Sequence, residues 1–216
     1  MDQHTTIPQS PAPTAPFAQG GLIIGITGGT GCGKTTLLNL IAEQGGLILD
    51  CDAIYHELLR SDAPMRSAIA ERFPGVIENG ILNRKKLGSI VFADEKALLD
   101  LNRITHSAVK QEVLRRLEAA PQLAAIDAIG LFEGGLAELC DITVAVTAPE
   151  ETRIHRLMRR DGISEDYARS RIRAQHGEDW FRQRCDRVLE NSDSLDDFRA
   201  KCLAFLQSLG IMKENA

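Results

Sequence analysis

Long apolar runs are missing from this chain: no stretch approaches the roughly 18 residues that a membrane-spanning helix requires. Paired cysteines are missing too. Cys32, Cys51, Cys140, Cys185 and Cys202 are odd in number and include no CxxC, which argues against a disulfide framework and for a reducing compartment. Excess positive charge is absent. The 25 Lys and Arg against 30 Asp and Glu give a net charge of −5, so no nucleic-acid partner is expected. The N-terminus lacks the basic and long apolar regions of a signal peptide, and a cytoplasmic location with no membrane partner is expected. The five histidines lie apart in sequence and suggest no metal cluster. No signal for an oligomeric state is present.

What the chain does contain begins with length. Its 216 residues suit one large domain, or one domain carrying an inserted lobe, with enough chain for a sizeable core. Residues 1–20 hold Pro8, Pro11, Pro13 and Pro16 among small and polar residues, and read as a disordered tail.

The most informative stretch is Gly28-Gly29-Thr30-Gly31-Cys32-Gly33-Lys34-Thr35. It fits G-x-x-x-x-G-K-[ST], the phosphate-binding loop. Leu22 to Ile26 reads as the buried strand leading in. Thr36 to Ala42 reads as the helix leading out, with Leu37, Leu38 and Ile41 on one face. Glycines let successive N–H groups point at one centre, and the helix N-terminus adds its dipole. Lys34 would reach the β- and γ-phosphates of ATP, and the Thr35 hydroxyl would bind Mg²⁺.

Gly45-Gly46 stops this helix, and Leu47 to Leu49 reads as a second strand ending in Asp50-Cys51-Asp52. Ligands of open α/β sheets sit beyond the carboxyl ends of the strands. Two carboxylates one residue apart point to opposite sides if strand geometry persists, one toward Mg²⁺ and one toward an acceptor. The plain alternative is a helix N-cap. Residues 53–120 read as a mostly helical lobe, too long for a simple crossover. Leu123 to Ile129 is the third strand, Ile142 to Val146 the fourth and Arg187 to Leu189 the fifth. Ser194 caps a last helix that places Leu195, Phe198, Cys202, Phe205 and Leu209 on one face.

Arginines crowd the segment between the last two strands. Arg153, Arg156 and Arg160 share a helical face, as do Arg169 and Arg173, with Asp161-Gly162 as a turn between two helices. Arginine forks onto phosphate oxygens, so this segment reads as a lid with Arg156 or Arg160 on phosphate. The competing reading is a solvated helix pair neutralised by Glu150, Glu151, Glu165 and Asp166. His155 and His176 read as lid surface, and Trp180 as a packing residue.

Taken in order, these segments resemble the dephospho-CoA kinase family, which phosphorylates a ribose 3′-hydroxyl to make coenzyme A. The likeness rests on Thr27 to Thr36, Asp50-Cys51-Asp52, Arg84-x-x-Leu87 with Val91-Phe92, Leu101-Asn102 with His106, Leu131-Phe132-Glu133, Arg156 to Asp161, and Arg171-Ile172-x-x-Gln175. It implies a P-loop kinase-type, three-layer α/β fold with a five-stranded parallel sheet: core 21–52, 121–150 and 185–210, CoA-facing lobe 53–120, lid 151–180. It also implies ATP and Mg²⁺ as cofactors and dephospho-CoA as the partner substrate. Gly31 to Thr36 would hold ATP phosphates. Asp52 would accept the proton of the 3′-hydroxyl, with Asp50 the weaker of the pair. Arg84 and His106 would face CoA, Arg156 would be the lid arginine, and Asn191 would lie near adenine. The chain departs from the family pattern at Cys32, where serine is usual, at Ser107, where proline follows the histidine, and at Ile129-Gly130-Leu131.

Two alternatives stand beside this reading. One is another small-molecule kinase of the same architecture, of nucleoside or shikimate type. The other is a GTP-dependent switch. Asp127-Ala128-Ile129-Gly130 fits its D-x-x-G pattern, but no lysine follows an asparagine, so the guanine-reading N-K-x-D is missing. Asp127 either orients a Mg²⁺-bound water or points away.

Overall fold

The computed structural model describes residues 21–78 and 81–211. The expected tail at 1–20, and the Asn79-Gly80 part of an expected chain break, lie outside the described residues. Strand β1 (Leu22–Thr27) feeds helix α1 (Lys34–Glu43), which returns to β2 (Leu47–Asp50). Four helices follow: α2 (Cys51–Ser61), α3 (Ala63–Arg72), α4 (Arg84–Val91) and α5 (Glu95–Leu117). A short antiparallel pair, β3 (Ile77–Glu78) and β4 (Ile81–Leu82), interrupts them. Then come β5 (Leu123–Asp127), β6 (Ile142–Thr147), α6 (Glu150–Asp161), α7 (Glu165–Arg173), α8 (Glu178–Arg184), β7 (Arg187–Glu190) and α9 (Leu195–Ser208).

The main sheet runs β2-β5-β1-β6-β7, and every pairing is parallel. Parallel strands are covered on both faces, and this sheet is. Alternate residues of β1 divide between two cores: Ile24 and Ile26 join Leu37, Ile41, Phe198 and Phe205 from α1 and α9. Ile23 faces the other way and joins Leu49, Ile54, Ile69, Val113 and Leu131. That second cluster runs without interruption from the sheet into α2–α5, so the helical lobe shares its core with the sheet. Helices α6 and α7 carry a small core of their own, in which Ile154, Leu157, Ala168 and Ile172 pack together. Among the described residues, no helix is long and apolar enough to cross a membrane.

Three details depart from the sequence expectation. The third strand ends at Asp127, short of the expected Ile129: Ala128 still donates its N–H across to the Ile26 carbonyl of β1 at 3.1 Å, and the chain turns at Ile129-Gly130. The segment expected to form a lid continues into a third helix, α8, after the expected two. Leu195 sits at the first turn of α9 and is 67% exposed, one turn short of the apolar face buried from Phe198 onward.

The α1/α9 layer depends on Phe198, which is fully buried. Phe198→Ala is expected to lower unfolding stability by about 3–5 kcal/mol, the cost of a large apolar cavity, as measured by urea denaturation. A loss below about 1 kcal/mol would mean that this face is not a packed core.

Candidate active site

The phosphate loop spans the turn from β1 to α1, and its shape follows from steric demands. Gly28 has φ 133°, and a methyl group there would sit 2.1 Å from the Val146 carbonyl oxygen. Gly33, φ 95°, precedes α1, and a methyl group there would sit 2.4 Å from Asn191 Nδ2. Only glycine meets both demands.

Side chains from distant elements take the loop's carbonyls. Arg153 donates through Nε to the Thr30 oxygen at 2.9 Å. Arg156 NH1 lies 3.3 Å from both the Gly31 and Cys32 oxygens. Asn191 Nδ2 donates to the Cys32 oxygen at 2.9 Å, while its Oδ1 accepts from Arg156 at 3.1 Å. Asn191 is buried, and both ends of its side-chain amide are thereby engaged with the loop and Arg156. The first N–H groups of α1, at Lys34 and Thr35, have no partner within the helix, as at any helix start. Lys34 folds back over the loop: its Nζ donates to the Gly28 oxygen at 3.2 Å and lies 3.9 Å from Asp127 Oδ1.

Three carboxylates gather at the ends of β2 and β5. Asp50 pairs with Asp127 in the strand register, but its Oδ1 accepts from Ala53 N at 3.0 Å as the N-cap of α2. The capping alternative thus describes Asp50 in this structure. Asp52, in the first turn of α2, is exposed and free to face the cleft. Asp127 Oδ1 is buried with no hydrogen-bond partner. Burial pushes the Asp127 carboxyl up to about 6; the Lys34 charge opposes the rise, and Asp50 and Asp52 add to it. Burial likewise pushes the Cys32 thiol up, so this cysteine is not an activated thiolate at the helix start.

Two cavities meet at this point. One of about 480 Å³ is lined by the phosphate loop, Lys34, Asp52, Asp127, Arg156, Arg159, Arg160 and Arg171. The other, about 270 Å³, is lined by Asp52, Tyr55, Asn102, His106, Ile129 and Leu136, among others. Asp52 and Ile129 belong to both walls. The structure therefore brings His106 to Asp52. Arg84 does not itself line that wall: it opens α4 and lines a separate hollow of about 220 Å³ with Arg60 and Arg66, though its charge reaches Tyr55.

The lid arginines divide. Arg160 and Arg171 face the larger cavity and share Asp161, whose carboxylate receives Arg160 Nε at 2.6 Å and Arg171 NH1 at 2.7 Å. Those hydrogen bonds, Arg160's first, hold Asp161 down at about 2. Arg169 pairs with Glu150, Glu151 and Glu165, as the solvated-helix alternative has it. Trp180 packs as expected, between His176 stacked on it at 3.9 Å and the Arg184 guanidinium 4.4 Å from its ring. Sequence reasoning missed the buried role of Arg153. It shares a helical face with Arg156 and Arg160, and no local signal separates the arginine that only props the loop from those that line the cavity.

The folded protein keeps a proton on Asp127 up to about pH 6, whereas an ordinary aspartate loses it near 3.8. A raised carboxyl pKa means that its stabilising share is present below the unfolded value and lost as pH rises through the folded one. Ligand-free Asp127→Asn should therefore exceed the parent in unfolding stability by about 1–3 kcal/mol at pH 8, with the gain vanishing near pH 4. Equal stability changes at both pH values would remove this account.

The sequence profile of the dephospho-CoA kinases matches residues 22–197. A dephospho-CoA kinase from Bacillus licheniformis is 37% identical over 83% of this chain and 92% of its own. One from Syntrophotalea carbinolica is 36% identical over 87% and 92%. A solved structure from Thermus thermophilus superposes with a TM-score of 0.76 at 33% identity, covering 88% of this chain and 99% of that one. A dephospho-CoA kinase from Campylobacter jejuni gives 0.62 at 25% identity, over 88% and 98%. A shikimate kinase from Bacteroides thetaiotaomicron, 15% identical with a TM-score of 0.54, shares the fold alone. With a phosphate loop, a shared Asp52 and this likeness along nearly the whole described length, the chain belongs to the dephospho-CoA kinase family.

Proposed function

We propose that this protein transfers the γ-phosphoryl group of ATP to the ribose 3′-hydroxyl of dephospho-CoA, giving coenzyme A and ADP, the last step of coenzyme A synthesis. The observation that carries this reading is the junction of the two cavities at Asp52, one walled by the phosphate loop and arginines, the other by a half-apolar acceptor wall.

In this reading the triphosphate lies along Gly28 to Thr36. The N–H groups at the start of α1 bind its oxygens, and Lys34 leaves the Gly28 carbonyl to bridge the outer phosphates. Arg156, Arg160 and Arg171 neutralise charge on the moving phosphoryl group, which is most of what such a loose transition state requires. Asp52 orients the 3′-hydroxyl and takes its proton as the new P–O bond forms and the bond to ADP breaks. His106, Tyr55 and Asn102 hold the acceptor nucleoside. Arg84, beyond that wall, would meet a more distant, phosphate-bearing part of the same substrate. Asn191 supports the nucleotide by holding the Cys32 carbonyl and Arg156.

The residues present fit Mg²⁺. Asp127 Oδ1 is buried and without a hydrogen bond, which is costly unless a cation or its water completes it. Thr35 and Asp127 would hold the ion. Asp50 is the weaker candidate, because one of its oxygens already caps α2. The ion supplies positive charge to the phosphate oxygens. A cytoplasmic location fits the reduced cysteines, all five of which are free.

Asp52→Asn should lower kcat by more than about 100-fold, the lower range of general-base effects, in an assay of ADP release with dephospho-CoA. Near-normal turnover would refute the assignment of Asp52. The same assay run over shikimate, nucleosides and dephospho-CoA should show release with dephospho-CoA alone; release with another acceptor in its place would overturn the substrate.

A further inference from the structure

Two adjacent residues beyond α7 reach two different loops. Gln175 Oε1 accepts from the Thr30 N–H at 2.8 Å and from Arg153 NH2 at 3.1 Å. Arg153 in turn donates through Nε to the Thr30 carbonyl at 2.9 Å. Three hydrogen bonds thus close a ring that fixes both polar groups flanking Thr30. The ring lies directly over the loop: a methyl group at Gly29 would sit 2.2 Å from Arg153 NH2 and 3.1 Å from Gln175 Oε1. The next residue, His176, meets Glu133 Oε1 at 2.7 Å on the segment leading out of β5, and its ring stacks on Trp180 with 2° between planes. Ile129, Gly130 and Gly134 of that segment line the acceptor cavity.

We propose that Gln175 is a positioning residue for phosphoryl transfer. It sets the nucleotide-binding form of the phosphate loop through Thr30 and Arg153 without itself touching substrate, and this rests on the larger cavity being the ATP site. His176 holds the other end of the strap, so the direction from which Gln175 approaches is fixed by the acceptor-side segment. Arg153 is only 9% exposed, and a buried guanidinium that loses an acceptor has little water to replace it. Without Gln175 Oε1, the Thr30 N–H and Arg153 would both seek other partners, and the loop would relax away from its binding form.

Both contacts use the glutamine as an acceptor. The inference therefore discriminates between substitutions of similar length. Gln175→Met keeps the stem and removes the oxygen. Gln175→Glu keeps an acceptor that a backbone N–H and a guanidinium can both use. Gln175→Met should weaken binding of MgATP about tenfold by calorimetric titration, and raise its KM by a similar factor, with the KM for dephospho-CoA within about twofold of the parent. Gln175→Glu should lie within about threefold of the parent in both measurements. Unchanged MgATP affinity in Gln175→Met overturns the proposal. So does a Gln175→Glu variant that binds MgATP about tenfold more weakly than the parent, because the acceptor oxygen would then not be what matters; that arm is read against the parent alone and stands even if the methionine variant does not fold. If the parent binds MgATP but leaves dephospho-CoA unreacted, the acceptor assignment fails while the titration still judges Gln175.

Discussion

A loop that offers several N–H groups to one anion must dispose of its carbonyl oxygens. Here that constraint shapes the molecule. The oxygens of Thr30, Gly31 and Cys32 turn outward and are met by Arg153, Arg156 and Asn191. These donors come from α6 and from the residue after β7, more than a hundred positions along the chain. Helix α6 is therefore fastened to the phosphate loop through its own side chains. Its arginines serve two trades: some brace the backbone and some line the cavity. Arginine suits both, because its planar fork is charged at every relevant pH and can meet an oxygen at either edge.

The carboxylates obey a different economy of solvent. Asp50, Asp52 and Asp127 are close neighbours in the sheet and its exit turns, yet their surroundings diverge. Asp50 is exposed and tied to a backbone N–H, Asp52 is exposed and faces both cavities, and Asp127 is withdrawn from water. Withdrawal raises the pKa of Asp127 to about 6 even with Lys34 nearby. Separation of roles by environment is how similar side chains come to do different chemistry.

Much of this was legible in the chain. Strands β1, β2, β5 and β6 are short apolar runs bounded by glycine or acid, and parallel strands covered on both faces have little choice but to look so. The phosphate loop carries its own context, strand before and helix after. Asp52 and His106, both picked out by the family likeness, line one cavity. What stayed hidden depends on three-dimensional neighbours. The pair β3–β4 has two residues per strand, too few for a periodicity. Asp50 and Asp52 differ by one residue, and only the onset of α2 at Cys51 decides which of them becomes the cap. Arg84 lines a hollow of its own, while its charge still reaches Tyr55 on the wall shared with Asp52, a matter of how α4 packs and not of its sequence. Arg153 and Arg156 are one helical turn apart and both meet loop carbonyls; burial alone keeps the first out of the cavity that the second also lines.

The chain has a single tryptophan. It lies on α8, sandwiched between an imidazole and a guanidinium, with Phe132 and Phe181 at 5.5 and 5.2 Å edge-on. Nature has thus installed one indole fluorophore at the seam between lid and acceptor-side segment, beside a ring nitrogen able to quench it. Any rearrangement of that seam during turnover would register as a change in ultraviolet emission, so the protein can be watched in real time without attaching a dye.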